Sequence, residues 1–175
     1  MRKTILAMAA LVLASTAAHT SPTLAANEWG IEHEEKARFE AKVVDILCEL
    51  TGDCPANCGG GSRQLGLLKD DGTLILAMKN FDPFAGAVND LVAFCGQRIE
   101  ADGLLISNPK MPLFALQFKR PVGGEWSRAN QFGKDWAEAN PNQGKANQWF
   151  RNDATVKRLI SEKGVFGIPG LEPEE

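Results

Sequence analysis

Arg38-Phe39-Glu40-Ala41-Lys42-Val43-Val44-Asp45-Ile46-Leu47-Cys48-Glu49-Leu50 is the stretch on which the fold turns. Phe39, Ala41 and Val43 alternate with Arg38, Glu40 and Lys42, the period of a half-buried strand. After Val43 the parity flips, and Val44, Ile46 and Cys48 take the apolar positions. A period of two that slips by one residue predicts a strand over 38–50 with a β-bulge in it. A strongly bent first strand suits a small closed barrel.

Working outward toward the C-terminus, residues 51–62 read as a long loop containing Gly52, Pro55, Gly59, Gly60 and Gly61. Residues 64–68 and 73–79 read as strands joined by the turn Lys69-Asp70-Asp71-Gly72. Asp82 and Pro83 supply a helix cap and a first helical position. Phe84, Val88, Leu91, Val92 and Cys95 then follow on one helical face, and Gly96 stops the helix. Residues 98–107 and 113–119 are two further strands, separated by a turn containing Pro109 and Pro112.

Three strands, a helix and two strands within residues 38–120 resemble the element order of small secreted bacterial OB-fold proteins. The resemblance implies a mainly β protein built on a five-stranded OB-like barrel, β-β-β-α-β-β. Beyond it, residues 121–175 read as a two-helix appendage ending in an acidic tail. Trp126, Ala129, Gly133, Trp136 and Ala137 share one helical face, and Asp153 caps a last helix carrying Val156, Leu159 and Ile160. Three of the four Trp residues lie in this appendage. They either pack the helices onto the barrel or form a ligand platform or partner surface.

The N-terminus sets the expected compartment. Met1-Arg2-Lys3 is a positive leader, residues 4–18 are rich in Ala and Leu, and small residues run to Ala25-Ala26. Residues 1–26 therefore read as a signal peptide. The apolar run is shorter than a bilayer span, so no stable membrane anchor is expected. Residues 27–37 read as a charged arm. Without Arg2 and Lys3, 17 basic residues face 22 acidic ones, a net charge of −5. That balance excludes a nucleic-acid partner. His19 leaves with the signal, so His33 is the remaining histidine and multi-His metal sites are excluded. With 44% apolar and 23% charged residues, the composition is that of an ordinary globular chain.

Cys48, Cys54, Cys58 and Cys95 form an even set in an exported chain, which predicts two disulfides with three possible connectivities. In the barrel that the OB-fold resemblance implies, the end of the first strand meets the start of the fourth. The resemblance thus implies Cys48 with Cys95 and Cys54 with Cys58. Cys54-Pro55-Ala56-Asn57-Cys58 also resembles the Cys-Pro-x-x-Cys core of the Sco copper-delivery proteins. In those proteins the motif opens a helix of a thioredoxin fold and works with a distant histidine. Here a glycine run follows, and His33 lies upstream.

No Ser/His/Asp or paired-carboxylate constellation stands out, and Gly59-Gly60-Gly61-Ser62-Arg63 lacks the Lys-Ser/Thr of a P-loop. The expectation is a periplasmic or secreted, non-enzymatic binding or accessory protein without a cofactor. It would engage a protein partner or small ligand through Trp126, Trp136, Trp149 and Arg63. The alternative is a thiol- or copper-handling accessory protein for a periplasmic redox enzyme, with Cys54, Cys58 and His33 as ligands.

Overall fold

The first strand, β1 (Glu34–Asp45), begins and ends earlier than its alternation predicts. A computed structural model of the chain describes residues 26–30, 32–79, 87–107, 110–165 and 167–168. The signal-peptide region before Ala26, the cap Asp82-Pro83 with Phe84, and the acidic tail lie outside the described residues. Part of the expected arm, from Glu34 onward, is strand.

No bulge sits in β1. It pairs in unbroken register with β4 (Arg98–Ile106) over Glu34–Lys42, then with β2 (Leu65–Leu68) over Lys42–Asp45. The parity slip has another cause: Asp45 ends the strand and caps α1 (Ile46–Thr51), its carboxylate accepting from the Leu47 and Cys48 amides at 2.9 and 3.2 Å. Ile46 and Cys48 are therefore helical.

β2 turns through Lys69–Gly72 into β3 (Leu74–Met78), with Gly72 at φ 83° and its amide donating to the Lys69 carbonyl. Among the described residues, the predicted helix carries one α-helical turn, α2 (Val88–Leu91), continued as a 3-10 turn through Phe94. β4 then pairs with β5 (Leu113–Pro121), and β5 pairs parallel with β3. The order β3-β2-β1-β4-β5, closed through β3 and β5, makes a five-stranded mixed barrel. The architecture is OB-like.

The register shift falls between β4 and β5, at Asp102/Gly103. The close approach of the two strands there admits only glycine, since a Cβ on Gly103 would fall 2.2 Å from the Ala115 carbonyl oxygen. Ala41, Val43, Leu65, Leu67, Ile75, Ile99 and Leu116 fill the barrel. Phe39 meets Phe114 edge-on at 4.8 Å, and Val88 and Leu91 join the same core. A sixth strand, β6 (Ser127–Arg128), extends the sheet beside β5. The C-terminal part is α3 (Gln131–Ala139) followed by a bent helix made of α4 (Trp149–Asn152) and α5 (Ala154–Lys163).

The disulfides differ from the expected pairing. Cys48 bonds Cys54, and Cys58 bonds Cys95. Because α1 turns Cys48 away from the strand end, it cannot stand beside Cys95. Cys58 reaches Cys95 instead. It does so from a left-handed turn in which Asn57, Cys58, Gly59, Gly60 and Gly61 all have positive φ. Consecutive left-handed residues are costly for any residue with a Cβ, and this is the physical use of the glycine run. Among the described residues no helix is long and apolar enough to cross a membrane.

Candidate functional site

The residues expected to form a surface do not form a single one. Trp126 precedes α3, on the short connection into β6, so it shares no helical face with Trp136. Its ring lies 4.7 Å from the Arg38 guanidinium and 4.4 Å from that of Arg120. Those arginines stand on β1 and β5, with β4 between them. Strands two positions apart are about 10 Å apart, so the indole lies between the two cations. Arg38 is held in turn by the fully buried Asp102 at 2.8 Å, and Arg120 by Glu100 at 2.8 Å.

Trp136 is buried and donates its indole N–H to Asp153 at 3.1 Å. Trp149 meets Phe132 edge-on at 4.8 Å. Arg63 binds Asp53 at 2.7 Å on the rim of the disulfide loop. Trp136 and Trp149 thus share the interface between α3 and the bent helix, while Trp126 and Arg63 hold elements together at two other places.

The copper-ligand set is not assembled either. Cys54 and Cys58 are each bonded to a different cysteine. His33 precedes β1 whereas both motif cysteines follow α1, and a 12-residue strand spans about 40 Å. His33 is exposed beside Glu32. Among the described residues no group of three or more His, Cys, Asp or Glu side chains could hold a metal ion.

A cleft of about 570 Å³ opens elsewhere, between the N-terminal segment, the end of β3, the edge of β5, and the β6–α3 junction. Its walls include Trp29, Lys79, Phe118, Arg128, Asn130 and Asn147. The N-terminal segment is fixed in place by two reciprocal bonds: the Asn27 amide donates to the Gln117 side chain at 2.9 Å, and that side chain donates to the Asn27 carbonyl at 2.7 Å. Gln117 can do this because it is the extra residue at the β4–β5 register shift, where Asp102 faces Phe118 and Gly103 faces Leu116. Glu34 then accepts from the Trp29 and Gly30 amides at 2.7 and 2.8 Å, turning the chain into β1.

Behind the cleft lies a buried polar cluster. Asp90 on α2 accepts from Lys79 at 3.0 Å, from Lys119 at 3.1 Å and from the Gln131 amide at 3.0 Å. Asn130, at the N-cap of α3, makes no side-chain cap bond, and Asp90 satisfies the first helix amide from across the interface. One carboxylate thus ties β3, β5 and α3 together.

Sequence reasoning missed Trp29, Lys79, Phe118 and Arg128. Trp29 falls in the stretch read as a charged arm, and Lys79 and Lys119 fall at the ends of two predicted strands. The available signal was Asp90, an acid set between the apolar Val88 and Leu91. Compared with protein-family models, curated proteins and solved structures, the chain finds no match in any of the three.

Proposed function

We propose that this is an exported, non-enzymatic binding protein that holds a small ligand in the cleft beside β5. The observation that carries the reading is the cleft itself. Its volume is about 570 Å³, and apolar rings and several polar groups line it together. Sites for small molecules have this size and this mixed lining. Two disulfides and the leader-like residues 1–26 support maturation in an oxidising compartment such as the periplasm.

The test is ligand retention. Protein incubated with a small-molecule extract of the periplasm is desalted and weighed intact under native conditions. Wild type is expected to carry an added mass that Asn147→Trp does not. Asn147 is exposed and lines the cleft, so a tryptophan there blocks it without entering the core. Equal retention by both proteins, or none by either, overturns the reading.

A further inference from the structure

The polar cluster beside the cleft is not balanced in charge. Lys79 and Lys119 converge on the single carboxylate of Asp90, and the three side chains are 9%, 7% and 2% exposed. The N-terminus of α3 adds partial positive charge at the same carboxylate through the Gln131 amide. Among the described residues one cation is therefore left over, away from bulk water. Such a charge is costly, and an anion arriving from the open side lowers the cost. The open side is the cleft, which Lys79 lines. Its ammonium has three protons, and among the described residues it donates to Asp90 alone.

Arg128 stands in the same wall, its guanidinium 5.3 Å from the Phe118 ring. The backbone carbonyl of Arg128 accepts from Lys119 at 3.5 Å, so it belongs to the same framework. The acid in the lining, Glu28, is paired with Lys36 at 3.2 Å. A positive cleft has thus formed in a chain whose net charge is −3.

We infer that the ligand is a small organic anion, with a carboxylate seated between Lys79 and Arg128 and an apolar body against Phe118 and Trp29. This rests on reading the cleft as the binding site. Calorimetric titration tests it with 3-phenylpropionate and octanoate, their neutral amides, and inorganic phosphate. The two acids are expected to bind. The amides should bind about tenfold more weakly or worse, the usual effect of losing a charged hydrogen bond. Phosphate, which lacks the apolar body, should also be weaker than the acids.

Lys79→Met should weaken the acids to a similar degree while leaving the melting temperature of the empty protein unchanged or raised, because Lys119 and Asp90 then form a one-to-one pair. Arg128→Met removes an exposed side chain and should weaken the acids too, so it carries the test if Lys79→Met does not fold. Acids and amides of equal affinity, or unchanged acid affinity in Arg128→Met, would overturn the anion and leave the cleft reading standing. Phosphate binding as tightly as the acids would overturn the organic body. Retention of an extract component that Asn147→Trp loses, with no binding of either acid, overturns this inference alone. The absence of both retention and acid binding overturns the cleft reading with it.

Discussion

Trp136 shows what one side chain contributes to the C-terminal part. It is 7% exposed, and its indole N–H reaches the Asp153 carboxylate, which also caps α5 through the Val156 amide at 3.0 Å. One acid therefore ends one helix interaction and begins another helix. Trp136→Ala removes a buried aromatic ring and is expected to cost ~3–5 kcal/mol in denaturant unfolding. Trp136→Phe keeps most of the packing, loses the hydrogen bond and should cost about 1 kcal/mol. Equal, small losses for the two variants would show that the ring does not anchor the helix. Asp153 and Trp136 were legible in the sequence because caps and helical faces are local patterns. Trp126 was not, because its neighbours Arg38 and Arg120 come from strands far apart along the chain. Nothing near Trp126 in sequence distinguishes a ring held between two cations from one on a helix face.

The elements were legible where alternation or turn chemistry was strong. β2, the Lys69–Gly72 turn, β3 and β4 lie close to where the pattern places them, and β5 runs on to Pro121. The end of β1 was not, because Val43, Val44 and Asp45 are all buried there, and burial on both faces erases the period of two. That one misread boundary carried the disulfide pairing with it, since a strand places Cys48 at the barrel seam and a helix does not. The observed bridges differ in what they close. Cys58 to Cys95 spans 37 residues and has a buried end, whereas Cys48 to Cys54 spans 6 and Cys54 is exposed. Loop-closure entropy assigns about 4 kcal/mol to the longer bridge and about 2 kcal/mol to the shorter. Mild reductant should therefore label Cys48 and Cys54 together, before Cys58 and Cys95, with only a modest fall in melting temperature until the second pair opens. Cys54 and Cys58 labelled together as a pair, as the Cys-Pro-x-x-Cys motif suggests, would contradict the connectivity.

For the whole molecule, the barrel was legible and the cleft was not. A barrel follows from the order of its elements, whereas the cleft depends on Lys79, Asp90, Lys119 and Arg128, which only the closed topology brings together. The outer face of the barrel has its own charge order, and that order fixes how stability responds to acid. Arg120, hydrogen-bonded to Glu100, holds that carboxyl below its usual range, helped by the Gly123 amide. Arg98 does the same for Asp70, Thr73 for Asp71, and the Trp136 indole for Asp153. A carboxyl whose folded pKa is depressed stabilises the fold at every pH above its unfolded value. That stability is lost as pH falls through the folded value. Unfolded carboxyls titrate near pH 4, so the melting temperature should be flat from neutral pH to about 5 and fall below about 4. Glu100 is the most enclosed of the four, lying under the Arg38–Trp126–Arg120 stack. Glu100→Gln should lower the melting temperature at pH 7, where the carboxylate is charged and paired. It should change it less as pH falls through the folded value, where wild type itself gives up that charge. The two proteins' melting curves should then converge with acidification. Parallel curves from pH 7 through the acid transition would show that the Glu100–Arg120 pair adds nothing to acid stability.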